Sequence, residues 1–141
     1  MYQQFIRTTE QAVVHLLLHC AHRDQVFLQS EYVALGKVIT SLHADRHINL
    51  TEEIEAYYAY HPHIEDEYVY LSFLVRKIGS SNRLSLYWHC LQLIHTDDVL
   101  ALQEETLLSK IAKLLYLTPA STHTLHMLVQ QNSALQRERA F

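Results

Sequence analysis

Glycine and proline are nearly absent from this chain, at two of each in 141 residues. A β-sheet protein of this size turns many times, and tight turns draw on the conformational freedom of glycine and the fixed φ of proline. Their scarcity argues against a sandwich or barrel and for long helices joined by short polar corners. With only Gly36 and Gly79 available, no phosphate-cradling loop can be written, and the nucleophile turn Gly-x-Ser-x-Gly and the metalloprotease pattern His-Glu-x-x-His are missing too. Cysteine is equally sparse. Cys20 and Cys90 fall inside expected helices and read as buried reduced thiols rather than as a disulfide. Basic charge is short as well: 11 Lys and Arg against 15 Asp and Glu leave a net charge of −4. That balance argues against a nucleic-acid partner, whose phosphates call for a basic face. No stretch reaches the ~18 uninterrupted apolar residues that mark a membrane span. Met1 to Glu10 lacks the basic-then-apolar order of a signal peptide, and a cytoplasmic location is expected.

What the chain does have is helical periodicity. Apolar residues make up 49% of it, enough for one domain with a real core. Thr8 and Gln11 have capping-box spacing and open a first helix. Ala12, Val13, Leu16, Leu17, Cys20 and Ala21 recur along it at helical spacing. A second helix is expected from Gln29 to Leu42 with Val33, Leu35, Val38, Ile39 and Leu42 as its buried stripe. Asn49 and Glu52 open a third, ending near Tyr60. Pro62 suits the first turn of a fourth, which Gly79 stops as a left-handed residue. Leu84 to Ile94, Leu102 to Tyr116 and Pro119 to Gln131 complete an expected set of seven helices, the last opened by Thr118 as N-cap. The reading is a single all-α domain over residues 1–131 with a polar tail over 132–141.

The chain also repeats itself. His22, Asp24, Val26 and Glu31 return 73 residues later as His95, Asp97, Val99 and Glu104, with Phe27 matched by Leu100 and Lys37 by Lys110. Each copy lies between two apolar helical stretches, so each reads as a helix, an acidic corner and a second helix. Two such hairpins imply a pseudo-symmetric helical fold, because neither can bury its apolar face alone.

Two readings of the acidic corners stand side by side. A Glu in a first helical turn is stabilised by the unpaired N–H groups there, and a corner Asp bonds turn N–H groups, so all four carboxylates can be caps. Alternatively Asp24, Glu31, Asp97 and Glu104 converge across a pseudo-two-fold axis and bind a divalent cation. Oxygen donors suit Ca²⁺ or Mg²⁺, and His22 and His95 would tilt the choice to Zn²⁺ or Mn²⁺. The dense oxygen pattern and central glycine of an EF-hand are absent.

An Asp in the corner and a Glu seven residues on, twice over in helical hairpins, resembles the TerB-like family. That family includes tellurite-resistance TerB proteins and the N-terminal region of a membrane-bound DnaJ-like co-chaperone. The likeness spans roughly Glu10 to Leu117. It departs from the family's usual corner, Asp-Gly, with Gln25 and Asp98, and from its usual capping residue with Leu28 and Ala101. The resemblance implies an α-helical fold, a link to tellurite or other stress responses, and the metal reading of the corners. It implies no reaction.

Other residues invite comment. His15, His19 and His22 share a face of the first helix and read as a polar stripe opposite its core face. A His pair at i, i+4 can also bind Zn²⁺, and His123 and His126 are available to join it. Residues 51–70 hold Glu52, Glu53, Glu55, Glu65, Asp66 and Glu67 interleaved with Tyr57, Tyr58, Tyr60, Tyr68 and Tyr70, and no Lys or Arg. That composition fits an interaction patch, or equally half-buried tyrosines beside a solvated acidic face. The functional expectation is a non-enzymatic protein acting through a protein partner on segment 51–70, with homo-oligomerisation left open. Divalent-metal binding is the alternative, ahead of a metal-dependent hydrolase.

Overall fold

The computed structural model describes residues 1–21, 29–41, 48–79, 82–94 and 102–139. Among the described residues are seven α-helices and no strand. They are α1 (Thr9–Ala21), α2 (Gln29–Ser41), α3 (Leu50–Tyr60), α4 (Glu67–Ile78), α5 (Arg83–Ile94), α6 (Leu102–Leu114) and α7 (Pro119–Arg139), with 3-10 turns at Tyr2–Gln4 and His61–His63. The all-α class and the helix count follow the sequence reading. No helix among the described residues is long and apolar enough to cross a membrane.

The helix starts are chemical. Thr8 Oγ1 accepts from the Gln11 N–H at 3.1 Å and Gln11 Oε1 accepts from the Thr8 N–H at 3.1 Å, a complete capping box. The Asn49 side chain accepts from the Glu52 N–H at 3.2 Å, and Thr118 Oγ1 from the Ser121 N–H at 3.2 Å.

Some boundaries depart from expectation. Pro62 opens only the short 3-10 turn. The fourth helix begins at Glu67, where Asp66 accepts from the Val69 N–H at 3.2 Å. The competing signal was Asp66 itself, a better cap than a proline-led turn can supply. Gly79 does stop α4, but at φ 87°, ψ −165°, an extended, essentially glycine-only conformation rather than the left-handed helical one. The backbone of α7 continues to Arg139, past the expected end at Gln131, because nothing between them breaks a helix. Val33 is 47% exposed, so α2 faces inward with Leu35 and Ile39 instead.

The chain forms two compact units, Met1–Ser81 and Asn82–Phe141. In the first, α1 packs against α2, α3 and α4. Nearly all of α1 is therefore buried, and Ala12, Val14, Leu16, Leu17 and Cys20 are fully covered. In the second, α5 packs against α6 and α7, burying Leu86, Tyr87, Cys90, Leu91, Leu108, Ile111 and Leu115. Both cysteines are buried and unbridged. The repeat reappears in the helix ends. α2 spans 29–41 and α6 spans 102–114, an offset of 73 at each end, and α1 and α5 close at Ala21 and Ile94, the same 73 apart.

Candidate functional site

The first unit holds a buried polar cluster built on two histidines. His15 is fully buried and His19 only 8% exposed. The expectation of a solvated histidine stripe on α1 is overturned for both. Helices on several sides of α1 leave it no outward face along this stretch, so its polar residues must find partners inside.

Each histidine is held in the same way. His15 Nε2 meets Glu53 Oε2 at 2.9 Å, and its Nδ1 meets the Tyr60 hydroxyl. His19 Nε2 meets Glu67 Oε2 at 3.0 Å, and its Nδ1 meets the Tyr57 hydroxyl at 2.8 Å. Two Tyr–His–carboxylate relays therefore lie one helical turn apart on α1. Spacing along the neighbouring helices explains how they form. Glu53, Tyr57 and Tyr60 stand at i, i+4 and i+7, one face of α3, while Glu67 and Tyr70 stand at i, i+3 on α4.

The relay through His15 can be followed proton by proton. Glu53 accepts only, so His15 Nε2–H donates to it. The other ring nitrogen then accepts from the Tyr60 O–H, which leaves the Tyr60 oxygen to accept from the Tyr70 O–H. On the far side, Gln11 Nε2 donates to Glu53 Oε1 at 2.8 Å, while Gln11 Oε1 takes the Arg7 and Thr8 N–H groups. Every member is satisfied, and the capping box of α1 forms one end of the chain. Burial alone would push the Glu53 carboxyl up. The hydrogen bonds from His15 and Gln11 outweigh it and hold the carboxyl below its ordinary 4.5. Burial raises the hydroxyls of Tyr57, Tyr60 and Tyr70 above their ordinary 10.0.

The rings pack as tightly as the hydroxyls bond. Ring centroids lie 5.5 Å apart for Tyr57 and Tyr60, 5.7 Å for Tyr60 and Tyr70, and 4.9 Å for Tyr2 and Tyr70. These are edge-to-face and tilted contacts of the favourable kind.

The acidic tyrosine segment divides. Tyr57, Tyr60 and Tyr70 are core, whereas Tyr58 is 40% and Tyr68 54% exposed. Glu53 is likewise buried, and Glu52, Glu55, Glu65 and Asp66 are exposed. A groove of about 510 Å³ runs beside α3. Phe5, Ala56 and Ala59 give it apolar surface and Glu52, Glu53 and Glu55 give it acid.

Of the corner residues, Asp24, Asp97, His22 and His95 lie outside the described residues. Glu31 and Glu104 fall in the first turns of α2 and α6, as the capping and cation readings both require. Among the described residues no three of His, Cys, Asp and Glu converge as a metal site. His126 is bonded within its own unit, to the Tyr87 hydroxyl at 2.8 Å, and His123 is exposed.

The buried cluster escaped the sequence reading although a signal was present: i, i+4 histidines on one helix and an i, i+4, i+7 Glu-Tyr-Tyr face on another. Either pattern alone reads as surface. No curated protein and no solved structure matches the chain. The family described as Tellurite resistance protein TerB matches residues 10–127, from the capping box of α1 into α7. With seven helices among the described residues and most of its length matched, this chain belongs to the TerB family.

Proposed function

We propose that this TerB-family protein works without catalysis, as an interaction module in a tellurite-related or broader stress response in the cytoplasm. Its partner is a basic protein segment that docks along α3. The observation that carries this reading is the groove beside α3, where exposed Phe5 lies among Glu52, Glu53 and Glu55. An apolar floor with an acidic rim matches a Lys- or Arg-bearing helix or strand. Arg7 also lines the groove, but exposed Glu52 and Glu55 outnumber it, and residues 51–68 contain no Lys or Arg. Exposed Tyr58 and Tyr68 on the same segment add aromatic surface of the type enriched at interface centres.

The test is an NMR titration of the full chain with a synthetic Lys-rich amphipathic peptide. Shifts confined to the groove residues are expected, weakening as salt rises. A Glu52→Gln/Glu55→Lys variant, which removes the exposed acid without putting a cation in the first turn of α3, should lose the interaction. Undiminished binding by that variant, or no shifts with the native chain, would overturn the reading.

A further inference from the structure

Beyond docking, we infer that the buried cluster of the first unit is a redox-active tyrosine site, in which Tyr57 and Tyr60 surrender an electron to a peroxyl-type radical while passing their protons to His19 and His15. The activity does not require a partner in the α3 groove, although Glu53 both lines that groove and serves the Tyr60 relay.

The argument begins with what a phenol needs in order to be oxidised. Losing an electron while keeping the proton leaves a very acidic radical cation, so easy oxidation requires a base already in hydrogen-bond reach. In water the solvent serves. Inside this core it cannot, and with burial raising the hydroxyls, prior ionisation is closed as a route. The histidine nitrogens supply the base: Tyr57 to His19 Nδ1 at 2.8 Å, and Tyr60 to His15 Nδ1. On receiving the proton each imidazole becomes a cation, and each already points its other nitrogen at a carboxylate, Glu67 at 3.0 Å or Glu53 at 2.9 Å. A carboxylate so placed stabilises the imidazolium as it forms.

For the Tyr57 relay the step balances as follows. The Tyr57 O–H bond breaks, the proton moves to His19 Nδ1, and one electron leaves to the peroxyl radical. That radical is reduced to the peroxide anion, which takes a proton from water and releases hydroxide to the solvent. What remains is a neutral tyrosyl radical beside an imidazolium–carboxylate pair. The same bookkeeping holds for Tyr60, His15 and Glu53.

Aromatic contacts connect the cluster to the surface. Tyr58 is 40% exposed, and its ring lies 6.3 Å from that of Tyr57. Tyr57 and Tyr60 are 5.5 Å apart, and Tyr60 is 5.9 Å from partly exposed Tyr2. A diffusing oxidant therefore meets a tyrosine at either edge, while the radical comes to rest at hydroxyls that neither water nor a second radical can reach. A polar core that needed only satisfied hydrogen bonds would not need a phenol on one side of each imidazole and a carboxylate on the other, twice.

The experiment oxidises the full chain with flash-generated tris-bipyridyl ruthenium(III) and follows the tyrosyl radical by absorbance and electron paramagnetic resonance. The folded protein should hold a radical population that outlives that of the urea-unfolded chain by about tenfold or more, the factor one charge-assisted hydrogen bond contributes to a rate. Tyr57→Phe/Tyr60→Phe should lose this population, and Tyr68→Phe/Tyr116→Phe should keep it. Equal lifetimes in folded and unfolded chains, or survival of the long-lived radical in Tyr57→Phe/Tyr60→Phe, would overturn the inference. Should that double variant fail to fold, double resonance on the native chain in D₂O decides. A deuteron coupled to the oxygen of the Tyr57 radical, which faces His19 Nδ1, supports the transfer to histidine, and its absence refutes it.

Discussion

His15 and Glu53 are 38 residues apart in the chain and meet at 2.9 Å in the core of the first unit. The contact joins α1 to α3. It also orients a longer series, because the Nε2–H committed to Glu53 leaves Nδ1 to accept from Tyr60, and Tyr60 in turn to accept from Tyr70. One carboxylate thus sets the direction of every proton behind it, as expected of a satisfied buried network.

Replacing Glu53 by Gln should therefore destabilise the protein by about 1–3 kcal/mol, the range for a buried group left with a wrong partner. An amide must turn its NH₂ toward either the His15 donor or the Gln11 donor, and both already give a proton. Urea denaturation at neutral pH measures the loss. Unaltered stability would show that the contact directs nothing.

The pH dependence follows from two opposite displacements. The Glu53 carboxyl is held below 4.5 in the folded state, so the unfolded chain binds more protons in that range. The stability it contributes is present above 4.5 and lost as pH falls through the folded value. Tyr57 and Tyr60 are displaced upward from 10.0, so their contribution is present below 10.0 and lost as pH rises beyond it. Melting temperature should fall on both sides, and Glu53→Gln should flatten the acid side alone. An acid limb as steep in the variant as in the native chain would contradict the assignment.

Neighbouring tyrosines should behave differently. Tyr57→Phe strips the hydroxyl from His19 Nδ1 inside the core and should cost about 1–3 kcal/mol. Tyr58→Phe alters an exposed ring and should stay within about 0.5 kcal/mol. Equal losses in parallel chemical denaturations would mean that the segment does not divide as described.

Gly79 ends α4 with φ 87° and ψ −165°. A Cβ there would meet no neighbour, so the penalty for Gly79→Ala is purely conformational, about 1–3 kcal/mol for a side chain held in that region. A thermal melt reads it. An unchanged or raised melting temperature would show that the backbone can relax out of this conformation cheaply.

The repeat carboxylates can be tested without further structure. If Asp24, Glu31, Asp97 and Glu104 bind an ion, one of Ca²⁺, Mg²⁺, Mn²⁺ or Zn²⁺ should raise the melting temperature. At a hundredfold excess over Kd the gain is about 2.7 kcal/mol, and it should vanish in Glu31→Gln/Glu104→Gln. Melting that ignores all four cations leaves these side chains as helix caps.

Much of the fold could be read before any coordinates, for local reasons. Thr8, Asn49 and Thr118 cap helices because a side-chain oxygen reaches backbone N–H groups two or three residues on, a relation contained within the motif. The stop at Gly79 is local in the same sense. So is the 73-residue repeat, whose helix ends coincide at 29 and 102 and at 41 and 114. The start of α4 was misplaced because Pro62 and Asp66 offer competing local signals within a few residues of one another.

The candidate site was not legible, because its chemistry is the product of helix packing. Taken alone, His15 and His19 are an i, i+4 pair on a helix, and polar pairs of that kind usually face water. Only the burial of α1 against α2, α3 and α4 turns them inward. Once there, desolvation obliges each ring nitrogen to find a partner, and Glu53, Glu67, Tyr57 and Tyr60 arrive from helices distant in sequence. The chain determined by itself most of its helix starts, through their caps, and the family to which it belongs. Which side chains share a dry core, and so which of them can exchange a proton, was decided by tertiary packing, since burial is a property of the assembled unit and of no single segment.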